Sequence, residues 1–455
     1  MLIFVLASLI FFSIYGFQIE LVNIQLYFAF IILILPFLLY KDLYHPLVVY
    51  SLFQSLILIN MVTKSLENPM HLRYLFVSPN EAHSFLSSSV TLWSVWYLLL
   101  IIGFFMAKKV KIFKNDYQLK KQKNFNTKIK FPTIIALIFI FVGFVAFLYA
   151  MFGVNNGLAS MLDSMTRRVE TYKGLTYITY FTQLGVVGAI LLLFRGHKKA
   201  SIISILLFLS FISLYGSRGT VLNLLISYIL AYNYKIKKVS VGKLLPVGIG
   251  GLIFVQVFGK QRFSGEFSIS NNVNNVIDSI TYAASQKQSG DILPSLIGAL
   301  KNNVIDFQLG KDFFNVIYAP IPRKLWEAKP QIDNTGIIGG LLMGDESWGL
   351  PAGAYGWIYL NFWWFGIIIF GLITGFVAAK FYKIAMHQIR SNIDYVFLFY
   401  ILAVTSLTDI FTTAGQIKLL FSCLIIILIK FLDKSLSVFY SDRPLITTNQ
   451  KRVGG

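Results

Sequence analysis

The chain consists largely of long apolar runs separated by short polar segments. Most of the runs approach the ~20 residues that an α-helix needs to cross the hydrocarbon core of a bilayer. The pattern therefore predicts an all-α polytopic membrane protein. Twelve transmembrane helices are predicted, at residues 1–16, 21–40, 46–62, 86–106, 131–152, 175–194, 200–215, 219–234, 243–259, 352–379, 395–413 and 416–432.

The composition supports this interpretation. Of the 455 residues, 56% are hydrophobic and the mean hydropathy is +0.68, so a soluble fold would have to bury a dozen apolar stretches. The first run has neither a basic n-region nor a small-residue cleavage site, which predicts a retained helix rather than a signal peptide. The only cysteine, Cys423, lies in the last run, so no internal disulfide is possible.

The net charge of +20 is distributed unevenly between the loops. Alternate loops are strongly basic, above all residues 107–130, and such loops mark the cytoplasmic side. Both termini are therefore predicted to be cytoplasmic. On this topology the inner side carries 25 Lys and Arg against five acidic residues, while the remainder carries 15 of each. The basic surplus follows from topology and does not indicate a nucleic-acid partner.

No internal repeat is visible, which counts against a carrier built from paired halves. Four regions are predicted: a membrane domain at 1–259, a large extracytoplasmic loop at 260–351, a second membrane domain at 352–433 and a basic cytoplasmic tail at 434–455. The large loop contains two predicted helices, NNVNNVIDSITYAASQ and DILPSLIGALKN. Asp291 caps the second of these, with Pro294 in its first turn. An ordered loop of this kind can form a lid or wall over a site at the membrane surface.

The stretch SLYGSRGTVLNLL places Arg218 between two apolar arms of about 16 residues. Each arm reaches only ~24 Å, whereas the hydrocarbon core is ~30 Å thick. The turn is therefore predicted to lie below the outer surface and to line a cavity, since bent backbone at that depth needs one. A guanidinium in such a cavity is a strong ligand for phosphate oxygens. The alternative is that Arg218 reaches the lipid headgroups from a helix end.

Other charged residues on the predicted outer side extend this hypothesis. Arginines and lysines gather there on a face whose net charge is zero, which is a more specific pattern than any single member. The basic candidates are Arg167, Arg168, Lys260, Arg262, Arg323 and Lys329. The carboxylates available as bases include Glu327, Asp333, Asp345 and Glu346, while Asp409 is predicted to serve as a structural partner. The sequence predicts no metal site, since adjacent carboxylates alone do not make one, and it predicts no cofactor. It contains no phosphate-binding loop, HExxH motif or GxSxG elbow.

Three stretches, YGSRGTVLNLL, APIPRKLWEAKPQ and PAGAYGWIYLNFWWFGI, together with the layout of the helices, resemble the bacterial O-antigen and capsule polymerases of the Wzy type. The resemblance implies a GT-C-like glycosyltransferase architecture in the bacterial inner membrane, with its active site facing the periplasm. It also implies that undecaprenyl-diphosphate-linked oligosaccharides serve as donor and acceptor. Further implied partners are membrane lipid and a chain-length regulator.

The resemblance also implies roles for individual residues. The lipid diphosphate would be bound by Arg218 and Arg323, with Arg262 similarly placed by its position. Tyr359 and Asn361 of the Tyr-x-Asn-Phe stretch are candidates for substrate binding. Position on the predicted outer side, rather than the resemblance, makes Arg167, Arg168 and Lys329 further candidates for substrate binding, and Asp333, Asp345 and Glu346 candidate bases. The chain departs from the family in one respect, because Gly356, Trp357 and Ile358 precede the Tyr-x-Asn-Phe stretch where a glutamate is expected.

The chemistry of such a substrate favours this assignment. A sugar bonded to diphosphate already has a good leaving group, so the reaction needs charge stabilisation more than a general acid. Displacement in one step would invert the anomeric carbon. Three other functions remain open on the sequence: a glycan ligase, a flippase for lipid-linked oligosaccharides and a non-catalytic assembly scaffold.

Overall fold

The computed structural model describes residues 21–40, 42, 44–66, 79–109, 129–163, 171, 175–216, 218–240, 242, 289–318, 321, 325–326, 328, 338–340, 352–388 and 395–441. All regular structure in these ranges is helical. The helices are α1 Leu21–Leu39, α2 Pro46–Leu66, α3 Pro79–Lys109, α4 Pro132–Leu148, α5 Leu158–Asp163, α6 Thr176–Arg195, α7 Lys198–Leu214, α8 Arg218–Lys235, α9 Ser289–Lys301, α10 Lys311–Tyr318, α11 Gly353–Gln388, α12 Tyr395–Ala403 and α13 Thr413–Ser441.

Ten of the twelve predicted membrane helices overlap observed helices. The predicted helices 1–16 and 243–259 lie outside the described residues. Proline occupies the first position of α2, α3 and α4, where its missing N–H has no intrahelical partner to lose. α6 ends at Gly196, whose left-handed backbone (φ 95°) closes the last turn. Within the described ranges, five helices are long and apolar enough to cross a membrane: Ser84–Ala107, Pro132–Val154, Tyr177–Arg195, Gly353–Met386 and Gly415–Phe439.

Three predicted helix ends differ most from the structure. The helix predicted at 395–413 ends at Ala403, and a 3₁₀ turn at Leu407–Asp409 follows it. Backbone hydrogen bonds hold this turn, since the N–H of Ser406 donates to the carbonyl of Ala403 (2.8 Å) and the N–H of Asp409 donates to that of Ser406 (3.1 Å). α11 and α13 each continue nine residues beyond their predicted ends at 379 and 432.

α3 and α11 share the most extensive interface between helices in the described structure. They run in the same direction, since Trp96 of α3 lies beside Gly371 and Leu100 beside Gly375. A Cβ at Gly375 would collide with the carbonyl oxygen of Leu100, and one at Gly103 would collide with that of Leu372. The two backbones therefore touch, as small residues spaced four apart allow membrane helices to do.

α11 is not one straight helix. At Trp363 the backbone leaves helical geometry (φ 53°, ψ −149°), which divides α11 into a first arm at 353–362 and a second arm at 364–388. A Cβ at Gly366 would lie 2.8 Å from Cγ2 of Ile358, eight residues earlier. In a straight helix those two positions are about 12 Å apart. The first arm therefore folds back against the second, so the helix predicted at 352–379 is divided into two arms.

α9 comes from the large loop but is not a surface helix. Residues 292–300 are all buried, and α9 packs against α2, α3 and α11. Leu293 and Leu296 contact the first arm of α11 at Gly356. The helix begins at Ser289, two residues before the predicted cap at Asp291, so Pro294 lies inside it rather than in its first turn. The predicted second loop helix therefore forms part of the helix core.

α4, α6, α7 and α8 form a second group of helices. Gly143 and Gly185 let α4 and α6 approach closely, with Phe208 of α7 packed against both glycines. The hydroxyl of Ser201 in α7 donates to the carbonyl of Ala189 and lies 2.9 Å from the hydroxyl of Tyr228 in α8. α7 and α8 have 17 and 18 residues, which agrees with the short arms predicted on either side of Arg218.

Asp433 joins the two groups at the end of the bundle that the topology predicts to be cytoplasmic. One of its carboxylate oxygens accepts the backbone N–H groups of Lys130 and Phe131, at 2.8 and 2.9 Å, just before α4 begins. The other oxygen accepts the hydroxyl of Tyr395 at the start of α12 (3.1 Å). A carboxylate from α13 thus caps the N-terminus of α4, where a negative charge is also favoured by the helix dipole.

At the same end of the bundle, hydrogen bonds join α8 and the residues after it to the connection between α1 and α2. The hydroxyl of Tyr234 in α8 donates to the carbonyl of Tyr44 (2.8 Å), and the hydroxyl of Tyr44 donates to the carbonyl of Val239 (3.1 Å). Burial, together with the nearby carboxylate of Asp42, raises the pKa of Tyr44 to about 12. The phenol therefore remains a hydrogen-bond donor throughout the physiological pH range.

Replacing Gly375 with valine should destabilise the fold. The added side chain has no space between the backbones of α3 and α11, and overpacking of this kind costs about 1–3 kcal/mol or more. Thermal unfolding of purified protein in detergent should show a lower Tm for Gly375→Val. Gly219→Ala is the control, since a Cβ there meets nothing within 4 Å. Equal Tm values for the two variants would contradict the proposed close contact.

Candidate functional site

The bend in α11 lies at the end of the bundle where α8 and α11 begin and α12 ends. This end, called the outer end below, is the one that the topology predicts to be extracytoplasmic. The bend interrupts the helical hydrogen-bond ladder, and a loop from the segment predicted to be extracytoplasmic binds to the helix there. The N–H of Gln308 donates to the carbonyl of Leu360 at 3.0 Å, and the N–H of Gly310 donates to Oδ1 of Asn361 at 3.1 Å.

Asn361 is therefore the centre of a latch between the loop and α11. Its side chain is fully buried, and its Nδ2 donates to the carbonyl of Trp357 at 2.9 Å. Both functions of the amide are thus used within the protein. Tyr359, the other member of this motif predicted to bind substrate, is buried and packs edge-to-face on Phe307 (6.1 Å) and Trp364 (6.0 Å).

The backbone on both sides of the latch is strained. Trp363, Leu309 and Asn303 have positive φ values of 53°, 49° and 56° although none of them is glycine. Gly310 adopts φ 83°, where a glycine is favoured, and its small size leaves room for the ring of Phe362. Strained residues of this kind cost about 1–3 kcal/mol each and concentrate at functional sites.

A cluster of aromatic rings packs against both arms of α11 next to the bend. Phe313 of α10 lies 4.7 Å from Trp357 in the first arm and 5.5 Å from Phe370 in the second arm, measured between ring centroids. Phe370 also contacts Phe411 (4.5 Å), which follows the 3₁₀ turn. Through these rings α10 holds the two arms of α11 and the turn before α13 in one packed unit.

Some buried polar atoms near this cluster have no hydrogen-bond partner. They are Nε1 of Trp357, Oγ1 of Thr413 and Oε1 of Gln416. Most buried polar groups in proteins are paired, so unpaired donors and acceptors require an explanation. Nε1 of Trp357 can donate to a hydroxyl or phosphate oxygen, Oγ1 of Thr413 can donate or accept, and Oε1 of Gln416 can accept from a hydroxyl.

Asp409 lies in the tight connection between α12 and α13. Its N–H donates to the carbonyl of Ser406 (3.1 Å), and its own carbonyl accepts the N–H of Thr412 (2.8 Å). A Cβ at Gly415 would collide with that carbonyl, so only glycine fits there. Asp409 also interacts electrostatically with Tyr50 of α2. Its side chain is partly buried, and the structural role that the sequence suggested for it stays a prediction.

Arg218 is the first residue of α8, so its backbone lies at the outer end. The preceding turn is anchored by Tyr215, which is buried with Phe147, Met161 and Ile178. The hydroxyl of Tyr215 lies 2.9 Å from that of Thr182 in α6. Gly216 adopts φ 69°, which makes the sharp entry into α8 possible. The turn that carries Arg218 is thus fixed against α4, α5 and α6.

The structure places the backbone of Arg218 at the same end of the bundle as Asp409, Tyr359 and Asn361. The other predicted site residues lie outside the described residues: Arg167, Arg168, Lys260, Arg262, Arg323, Glu327, Lys329, Asp333, Asp345 and Glu346. The latch at Asn361, the bend at Trp363 and the unpaired Trp357 nitrogen were not found by sequence reasoning. Gly356 and Gly366, which flank the Tyr-x-Asn-Phe motif, were the only feature of this stretch that could have indicated a bend in the helix.

Comparison with known proteins gives two related matches. The chain is similar to the O-antigen polymerases of Salmonella typhimurium (strain LT2) and Salmonella typhi, each with 26% identity over 285 residues, which is 58% of this chain. The match covers 64% of each relative's length, less than two thirds. No family model matches the sequence, and no solved structure does. The similarity confirms the resemblance that the sequence motifs indicated.

Removing the Asn361 amide should open the latch. In Asn361→Leu the N–H of Gly310 loses its acceptor, and an unpaired buried N–H costs about 1–3 kcal/mol. Hydrogen exchange at Gln308 and Gly310 should therefore accelerate roughly tenfold or more, as measured by mass spectrometry in detergent.

Asn233→Leu is the matched control. Asn233 is also buried, and its Oδ1 accepts the N–H of Val239 at 3.0 Å at the opposite end of the bundle. This variant should accelerate exchange at Val239 and leave residues 308–310 unchanged. If Asn361→Leu leaves those residues as well protected as in the parent protein, the latch does not hold the loop.

Proposed function

We propose that this chain is a membrane glycosyltransferase that polymerises undecaprenyl-diphosphate-linked oligosaccharide repeat units on the outer leaflet of the bacterial inner membrane. The observation that carries the proposal is the similarity to two O-antigen polymerases over 58% of the chain. An all-helical membrane bundle, with an arginine at the start of a short helix at its outer end, suits this chemistry.

The proposed reaction is a single displacement that needs no metal. A hydroxyl oxygen of one lipid-linked unit attacks the anomeric carbon of another. The bond from that carbon to the diphosphate oxygen breaks, and the diphosphate leaves with the electron pair. Configuration is inverted, and the hydroxyl proton passes to a carboxylate, for which Asp333, Asp345 and Glu346 are the candidates.

Arg218 has the central role in this proposal. It neutralises the charge that develops on the departing diphosphate, and Arg262 and Arg323 assist it. Guanidinium groups bind phosphate oxygens through paired hydrogen bonds, and they act most strongly where water is partly excluded. The anchoring of the preceding turn by Tyr215 supports the role, because a group that stabilises a transition state must be held in place.

The latched loop has a positioning role. Substrate held in line with the reacting carbon gains much of the rate acceleration available to a displacement. The hydrogen bonds at Leu360 and Asn361 hold the large loop on α11. Further along its sequence, the same loop carries Arg323 and Lys329, which are proposed to bind substrate together with Arg167. Trp357, whose ring nitrogen is unpaired, offers a donor to a sugar hydroxyl or phosphate oxygen near the bend.

Arg218→Ala should abolish polymerisation while the protein remains folded and inserted. Losing one charge-stabilising group of this kind lowers the rate about 10²–10³-fold. The assay supplies purified protein in vesicles with lipid-diphosphate repeat units and resolves the glycans by length. The parent protein should give a ladder, and Arg218→Ala should leave single units.

Arg195→Ala is the matched control, because Arg195 is exposed in the last turn of α6, at the opposite end of the bundle. It should give the full ladder. Long polymer from Arg218→Ala would remove that residue from the mechanism. If the parent protein gives no ladder with any repeat unit but joins a finished glycan to a different acceptor, the chain is a ligase. If it only moves the lipid across the bilayer, it is a flippase.

The position of Arg218 in the membrane can be tested separately. Cys423→Ser removes the only thiol, and a cysteine is then introduced at 218 or at Lys199, which is exposed in the first turn of α7. A membrane-impermeant maleimide applied to spheroplasts should label position 218 and leave position 199 unlabelled until the membrane is broken. The reverse pattern would invert the topology and exclude an outer-leaflet reaction.

A further inference from the structure

The large extracytoplasmic loop has a strongly apolar exposed surface beside the bend. Its described residues at 304–318, 321 and 325 are called the outer strap below. Leu309, Ile317 and Leu325 are 78%, 66% and 81% exposed, and Val304, Phe307 and Ile321 are also exposed. Scattered apolar residues are normal on protein surfaces, but a run of this density in a single short segment is not.

The exposure does not arise from loose packing. The inner side of the outer strap is firmly attached, through the two latch hydrogen bonds and through Phe313, whose ring packs on both arms of α11. The chain therefore buries one set of apolar side chains and presents another set outward. The outward set needs an apolar environment that the described part of the chain does not supply.

Both supports of the outer strap are helices with exposed apolar rows of their own. Along the second arm of α11, beginning directly after the bend, Phe365 and Ile369 are 71% and 51% exposed. α13, against which α10 packs, exposes Leu424 and Ile427. Each of these helices is long and apolar enough to cross a membrane, so their exposed rows are lipid-facing.

The exposed surface of the outer strap adjoins one of these rows. Phe307 packs on Tyr359, and Gly310 packs on Phe362, one residue before Trp363, which is half exposed. Leu309 therefore projects next to the end of the lipid-facing row of α11. Trp363, Tyr318 and Trp326 add amphipathic rings, the side chains that membrane interfaces favour.

We infer that the outer strap is a membrane-interface element, whose exposed side chains insert among the lipids of the leaflet at the outer end of the bundle. An amphipathic segment in such a position buries its apolar face to a depth of ~5–10 Å, at the boundary between headgroups and acyl chains. The inference concerns lipid contact and does not depend on the proposed reaction. If that reaction is also correct, the strap holds the bend at the depth of a lipid-linked diphosphate.

Depth-dependent fluorescence quenching tests this inference. In the Cys423→Ser background, single cysteines replace Leu309, Ile317 or Leu325, each is labelled with an environment-sensitive fluorophore, and the protein is reconstituted into phosphatidylcholine and phosphatidylglycerol vesicles. Phe365→Cys is the lipid-facing reference and Lys199→Cys is the water-facing reference. Variants whose melting temperature falls are set aside, and the three positions provide independent readings.

Lipids brominated near the headgroup should quench the labels at 309, 317 and 325 at least about threefold more than the label at 199, because shallow insertion places them within reach. Iodide in the buffer should quench them less than it quenches position 199. Equal iodide quenching at all four positions, without lipid quenching, would overturn the inference in favour of a surface open to water. Quenching by neither agent would overturn it in favour of contact with another protein surface.

Discussion

α3 and α11 approach each other until their backbones touch, and this contact constrains much of the described structure. In a bilayer two apolar helices gain little hydrophobic energy by associating, so close packing must supply the attraction. Gly103, Gly371 and Gly375 make that packing possible because they have no side chains to keep the backbones apart. The contact fixes the second arm of α11 along α3, and so determines where that arm can end and the chain can turn.

The bend at Trp363 follows from this arrangement and creates the remaining features of the outer end. Once the second arm is fixed, the first arm has to fold back on it, and Gly366 provides the space for Ile358. The bend places a bulky residue at positive φ and frees a backbone carbonyl, both unfavourable changes. Gln308 compensates by donating to the carbonyl of Leu360, and Gly310 adds a hydrogen bond to the side chain of Asn361, so the bend and the loop stabilise each other.

The sequence predicts the helices well and their shapes less well, for physical reasons that differ between elements. Hydropathy identifies where an apolar helix lies, and ten predicted helices overlap observed ones. It cannot distinguish a straight helix from a folded one, because PAGAYGWIYLNFWWFGI is apolar throughout and Trp363 is not a residue that usually marks a turn. α9 was misjudged for a related reason, since its burial depends on Gly356 of α11, about sixty residues away in sequence.

In the candidate site, the residue type alone indicates a role for Arg218, whereas the role of Asn361 is visible only from its hydrogen-bond partners. Arg218 stands out in the sequence because a charge between two short apolar arms is costly, and the structure places it at the start of α8. Asn361 has no comparable feature in the sequence, where the Tyr-x-Asn-Phe motif predicts that it binds substrate. With both ends of its amide occupied by Gly310 and Trp357, it acts in the described structure as a connector between the loop and the membrane helices.

This connection matters for any chemistry at the outer end, because the proposed site draws on two parts of the chain. Arg218 belongs to the helix bundle, whereas Arg323 and the candidate bases belong to the large loop. Groups on separate elements can act on one substrate only if something holds those elements in register, and an error of about 1 Å is enough to lose much of the rate. In the described structure the latch at the α11 bend and the aromatic cluster around Phe313 provide that register. The residues that hold the elements together are therefore as much a part of the proposed site as the arginines.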